Sequence, residues 1–176
     1  MLIVTHAECN LKQRGFSLIE LMVTLSVLGV ILAIAIPSFQ AMIKNSNIRN
    51  AAESVSNGLS KARAEAVGRN MQVDFVLSSD SAWVVRQASD SAVIESKPGR
   101  EGSPDVTVSA VDASNNPATT VSFTALGGTA AGSFPIDHVD FSTTGGNISL
   151  RVLVGLGGKV KMCDPNLDAG SSPRAC

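Results

Sequence analysis

The sequence predicts an α+β fold in which a long N-terminal helix, membrane-spanning in its first half and amphipathic in its second, packs on an antiparallel β-sheet. Three observations predict it. Residues 16–36 are almost wholly apolar, an apolar stripe at helical spacing follows between residues 48 and 66, and from residue 71 onward short β-prone runs alternate with turn residues. A chain of 176 residues has room for one globular domain with an appendage. Its apolar fraction of 44% is ordinary but crowded toward the N-terminus, and the formal net charge of -1 lacks the strongly basic balance that would by itself point to nucleic acid.

The apolar segment reads FSLIELMVTLSVLGVILAIAI. As a helix with a rise of ~1.5 Å per residue it reaches ~30 Å, the hydrocarbon thickness of a bilayer. A basic stretch, Lys12-Gln13-Arg14-Gly15, precedes it, and positive charge on that side holds the end in the cytoplasm, so the remainder of the chain is exported. Two readings of this segment compete. In a secretory signal peptide, Ala33-Ile34-Ala35 would supply the small-x-small cleavage site. Glu20 argues for a retained helix, because a carboxyl inside an apolar span costs about 2.5 kcal/mol or more unless neutralised or paired. Cleavage between Gly15 and Phe16 would create an α-amine within one turn of Glu20 and give that carboxylate a partner.

Pro37 lacks an N–H, which predicts a kink near the membrane surface rather than a stop, because periodicity resumes beyond it. Ile48, Ala52, Val55, Leu59, Ala62 and Ala66 form one stripe, with Arg49, Glu53, Lys61 and Glu65 on the other faces. The many alanines favour close packing on strands over a coiled-coil seam, and Gly68-Arg69-Asn70 marks the helix end. Strands are predicted at 72–77, 82–87, 92–96, 106–111, 121–126, 138–142 and 148–154. Turns fall at 78–81, 88–91, 115–117 and 145–147. Trp83 is assigned to the core or its rim, and His138 to the surface of a strand.

Gly15-Phe16-Ser17-Leu18-Ile19-Glu20-Leu21, followed by the apolar helix, resembles the class III leader junction of type IV pilins and type II secretion pseudopilins. The resemblance implies a pilin-like fold and four segments: a leader over 1–15 removed by a prepilin peptidase, a transmembrane and assembly helix over 16–36, its amphipathic continuation over 37–70, and a periplasmic β-rich domain over 71–176. It further implies that the new amine of Phe16 is methylated, that Glu20 docks the subunit into a helical filament, and that the helix anchors the chain once across the bacterial inner membrane before assembly. Of the three cysteines, Cys9 would leave with the leader. Cys163 and Cys176 would remain to close a disulfide in an oxidising periplasm. A metal site finds no supporting cluster, since the histidines are His6, in the leader, and the distant His138.

Toward the C-terminus, Gly155-Leu156-Gly157-Gly158 reads as a hairpin turn rather than a phosphate cradle, because no helix follows it. In the next strand Lys159 and Lys161 project to one face. With Arg151 and Arg174, residues 151–176 carry four basic against two acidic residues, Asp164 and Asp168. The run GKVKMCDPNLDAGSSPRAC resembles the C-terminal end of the FimT/GspH (FimU-like) family of minor pilins and pseudopilins, which carries a Gly-Arg-x-Arg element and a nearby cysteine pair. In some members that element contributes to DNA binding during natural transformation, which would place Lys159 and Lys161 at the matching positions, with Arg151 and Arg174 beside them. Lysine preserves the charge without arginine's bidentate fork. The alternative is that these are solvated charges protecting an edge hairpin from unwanted pairing.

No catalytic constellation stands out: there is no nucleophile with a histidine base, no paired carboxylates at motif spacing and no metal-ligand set. The sequence therefore predicts a structural subunit without cofactor or small-molecule substrate. Its expected partners are other pilins or pseudopilins, the prepilin peptidase and the inner membrane. Three roles remain open: a minor pilin in type IV pilus assembly, a type II secretion pseudopilin, and a minor pilin that binds double-stranded DNA for uptake.

Overall fold

The computed structural model describes residues 15–78, 80–99, 101, 103–131, 135–170 and 172–176. The leader predicted over 1–15 therefore lies outside the described residues except for Gly15. The chain divides into two compact units, Met1–Ser38 and Phe39–Cys176, and every buried apolar residue among those described belongs to the second.

Helix α1, Leu18–Arg69, runs for 52 residues with Pro37 inside it, so the proline ends no element. Ser17 caps its start: the Ser17 hydroxyl accepts the Glu20 N–H at 3.2 Å, satisfying one of the donors that a helix N-terminus leaves open. At the other end Asn70 takes a left-handed φ of 50°. The Met71 N–H then bonds the Ala66 carbonyl at 3.1 Å and the Asn70 N–H bonds that of Val67 at 3.3 Å, the paired pattern of a Schellman cap. The predicted stripe, Ile48, Ala52, Val55, Leu59, Ala62 and Ala66, is wholly buried, joined by Ala51 and Gly58.

Eight strands follow: β1 Val73–Leu77, β2 Trp83–Gln87, β3 Val93–Lys97, β4 Thr107–Val111, β5 Thr120–Phe123, β6 His138–Ser142, β7 Leu150–Val154 and β8 Val160–Cys163. The single sheet of the sequence reading is in fact two four-stranded antiparallel sheets, ordered β3-β2-β1-β5 and β4-β6-β7-β8. The split arises because β4 pairs forward with β6, while β5 returns to the free edge of β1. Alternation holds along the inner strands: Val73, Phe75 and Leu77 of β1, Val121 and Phe123 of β5, and Val152 and Val154 of β7 turn inward into one core with the helix stripe. Trp83 is 6% exposed, packs on Phe75 with ring centroids 5.9 Å apart, and donates its indole N–H to the Ser54 hydroxyl at 3.0 Å.

Two expectations need correction. The strand predicted over 121–126 stops at Phe123, because Gly127 takes a φ of 81° and the Thr124 N–H turns back to the Gly128 carbonyl at 2.8 Å. His138 is not a surface residue but is 8% exposed. It is flanked in register by Val111 and Leu153, and its Nδ1 lies 3.0 Å from an Asp137 carboxylate oxygen.

Candidate functional site

In the N-terminal unit the chemistry is that of an uncovered apolar helix. Phe16 is 83% exposed, and every large apolar residue from Leu18 to Ile36 is solvent-facing in the isolated chain. The polar side chains of this stretch are handled within the helix. Thr24 and Ser26 donate their hydroxyls to the carbonyls of Leu21 and Met22 at 2.9 and 2.8 Å, so neither needs water. Glu20 occupies the first helical turn, where aligned peptide dipoles favour a carboxylate. The Ser17-x-x-Glu20 spacing, a helix-start signature that the sequence reading passed over, contained this second reason for a carboxylate here. Gly15 and Phe16 lie immediately ahead of the cap, non-helical and exposed.

In the C-terminal body, strands β7 and β8 form a hairpin closed by the Gly155–Lys159 turn, in which the Gly155 N–H bonds the Lys159 carbonyl at 2.9 Å and Gly158 takes a φ of 72°. This is the turn the glycines predicted. Beyond β8, Cys163 and Cys176 are disulfide-bonded, with Cα atoms 5.0 Å apart, and the enclosed loop is pinned further by Asp164 N–H to the Arg174 carbonyl at 2.7 Å.

The four basic residues of this region do not form one patch. Arg151 is clamped to the Asp140 carboxylate by two bonds, Nε at 2.6 Å and a terminal nitrogen at 2.8 Å. These residues are direct cross-strand partners of β6 and β7. The same carboxylate pushes the Arg151 pKa above its ordinary value, so the charge is permanent but already neutralised. Lys161 turns its ammonium onto the Ala175 carbonyl at 3.0 Å, bracing the C-terminal loop. Lys159 and Arg174 are exposed, and no partner of their charged ends is found among the described residues. Asp140 was the residue missed: it precedes the counted window, and only strand register reveals that it faces Arg151.

Comparison with known proteins fits this arrangement at both ends. A family model described as the prokaryotic N-terminal methylation motif matches residues 10–36, and one described as type II transport protein GspH matches residues 51–158. A fimbrial protein of Moraxella nonliquefaciens is 32% identical over 71 residues, 36% of this chain and 46% of that protein, so the aligned stretch spans about half of the relative's length. Among solved structures, the type IV minor pilin FimU of Pseudomonas aeruginosa superposes with a TM-score of 0.51 at 16% identity, covering 73% of this chain and 94% of that one. The minor pseudopilin EpsH of the Vibrio cholerae type 2 secretion system gives a TM-score of 0.49 at 13% identity, covering 69% and 99%.

Proposed function

Since the chain belongs to the GspH family of type II transport proteins, within the type IV pilin and pseudopilin superfamily, we propose that it is a minor pilin: a structural subunit, not a catalyst, that enters a type IV pilus through its N-terminal helix. The observation that carries this reading is the contrast along one helix. From Ile48 to Ala66 its apolar stripe is buried by the body's own strands, whereas from Leu18 to Ile43 its large apolar residues are left uncovered. An apolar surface of that extent requires a cover from outside the chain, first a bilayer and then the helices of neighbouring subunits. In this reading a prepilin peptidase cuts between Gly15 and Phe16 and methylates Phe16. The new amine pairs with Glu20 of its own or an adjacent helix, and the body waits in the periplasm on a single inner-membrane span.

The test is co-expression of the full-length precursor with a prepilin peptidase, followed by mass analysis of the membrane-bound product. A chain beginning at N-methylated Phe16 is the expected result. A product beginning after Ala35, released from the membrane, would mark an ordinary secretory signal and overturn the reading. The sequence similarity to a fimbrial protein favours a pilus over a secretion machine. Deletion should therefore reduce piliation, and a deletion that spared pili while blocking export of folded proteins would move the subunit to type II secretion. A DNA-uptake role would fall to Lys159 and Arg174, because Arg151 and Lys161 are engaged elsewhere.

A further inference from the structure

The apolar surface of α1 runs on past Ile36. Phe39, Met42 and Ile43 are 63%, 69% and 48% exposed, and their spacing of three and then one residue sets all three on one helix face. Ile48 falls half a turn round from Phe39 and is wholly buried in the core. This stretch of helix therefore turns one side to the body and an apolar side away from it, the arrangement of a helix that lies at a membrane interface. The first charged residues after Glu20 are Lys44 and Arg49, and no acidic residue occurs in α1 between Glu20 and Glu53.

Two loops of the body are pinned to the helix just beyond that face. The Lys44 ammonium donates to the Thr144 carbonyl at 2.7 Å, and the Asn147 N–H donates to the Asn45 side-chain oxygen at 2.9 Å. Gly145 takes a φ of 79°, and a Cβ on it would stand 2.8 Å from the Lys44 Nζ, so the close fit of the turn depends on glycine. The Asn47 amide donates to the Pro104 carbonyl at 3.4 Å, and the Thr143 hydroxyl ties the second loop to the first through the Asp105 carbonyl at 2.6 Å. Thr144, Asn147, Pro104 and Asp105 are exposed. Chain length limits how far this pole can stand from a bilayer. Residues 16–36 already reach ~30 Å, the hydrocarbon thickness. Lys44 follows Ile36 by so few residues that, at ~1.5 Å each, it stays within ~12 Å of the hydrocarbon edge whatever direction the helix takes after Pro37. Headgroups fill the first ~5–8 Å of that distance.

We propose that this pole of the body is a phospholipid contact surface: Phe39, Met42 and Ile43 sink into the leaflet on the body's side, while the 143–147 turn and Pro104 rest among the headgroups. Lysine has three N–H donors, so the bond to Thr144 leaves Lys44 able to meet a lipid phosphate as well. A phosphatidylethanolamine headgroup, with its phosphate and its ammonium, offers partners to both Lys44 and Asp105. The inference rests on the membrane span proposed above and adds to it a lipid-binding face of the body, which holds the domain down on the bilayer before assembly.

The test reconstitutes the full-length chain, with Cys9→Ser and the Cys163–Cys176 bond oxidised, into phosphatidylethanolamine–phosphatidylglycerol vesicles sparsely enough that copies stay apart. A spin label is attached singly through Ile31→Cys, Thr144→Cys or Leu126→Cys, and its collisions with lipid-soluble oxygen and with a water-soluble nickel chelate are compared. Ile31 should meet oxygen. Leu126 is 95% exposed, and its neighbour Gly127 lies beside Val67, ~35 Å along the helix from Lys44 at ~1.5 Å per residue, so it should meet nickel freely. Thr144 is exposed in the isolated chain but should show nickel collisions several-fold below those at Leu126. Phe39→Ser with Met42→Ser should bring Thr144 back toward the Leu126 value and leave the melting transition unchanged, because both side chains are exposed. Nickel reaching Thr144 as freely as Leu126 while Ile31 stays in lipid, or a shielding of Thr144 that survives the double substitution, would overturn the contact. Nickel reaching Ile31 as well would overturn the span, and the contact with it.

Discussion

Replacing Gly58 by alanine sets two opposing effects against each other, and the structure decides the sign. Alanine in a helix interior is worth about 1 kcal/mol over glycine. At this position, however, the added Cβ would lie 2.8 Å from Cε2 of Phe75 and 2.9 and 3.0 Å from Cε2 and Cδ2 of Trp83. These are not flexible chain ends that can swing aside. Phe75 is fully buried, the rings pack on each other, and the indole N–H is tied to Ser54, whose hydroxyl also receives the Lys97 ammonium at 2.9 Å. Overpacking of this kind costs ~1–3 kcal/mol, and pulling Trp83 from Ser54 adds about 1 kcal/mol. The net expectation for Gly58→Ala is a loss of about 1–3 kcal/mol. Gly68 supplies the control, since a Cβ there meets nothing within 4 Å, and Gly68→Ala should gain ~0.5–1 kcal/mol. Trp83 is the sole tryptophan, so its fluorescence during urea denaturation of the full-length chain in mild detergent reports both the transition and the indole's surroundings. A Gly58→Ala chain as stable as the native one would refute the claim that this glycine sets the spacing between helix and sheet.

Reducing the Cys163–Cys176 bond, which spans a sequence separation of 13 residues, should lower stability by ~3 kcal/mol through the freedom returned to the unfolded loop. Denaturation midpoints with and without reductant measure it, and equal midpoints would count against that account. Asp112 is nearly buried, and the Asn116 backbone N–H, then the Asn116 side chain and the Ser114 N–H, hold its carboxyl below the usual range. Its contribution is present above the unfolded value of about 3.9 and is lost as pH falls through the lower folded-state value, so Asp112→Asn should flatten the acid limb of the stability curve below about pH 4. Identical acid limbs for the two chains would contradict this. With only Lys159 and Arg174 free among the four basic residues, duplex DNA binding should show a salt slope no steeper than about -1.8 in log K against log salt. A markedly steeper slope in a filter-binding series would refute a site limited to these two cations and bring in others, Arg49 beside Arg174 among them.

What could be read from the sequence follows from the range over which each interaction acts. The helix stripe, its end at Asn70 and the positions of the strands depend on neighbours within a turn or a hairpin, and they emerge from periodicity alone. The division into two sheets does not, because nothing local to β5 says that its partner is β1, some fifty residues earlier, rather than its sequence neighbour β4. His138 went astray for the same reason: a polar residue in an alternating strand was assigned to water, whereas β4 and β7 on either side, with Asp137 next to it, enclose and satisfy it.

The basic C-terminal region carries this lesson into function. A count along residues 151–176 credits four cations, but charge on a sheet is settled across strands. Once Asp140 is placed opposite Arg151, and the Ala175 carbonyl above Lys161, half of that charge already has structural work. The residues for which the fold offers no such internal use are of another kind. Leu126 and Leu156 contribute nothing to the core, sit where turn chemistry favours polar side chains, and are held out by hydrogen bonds that only glycine-rich turns can make. A position that breaks a local rule without an internal gain points to a need outside the fold of the body itself.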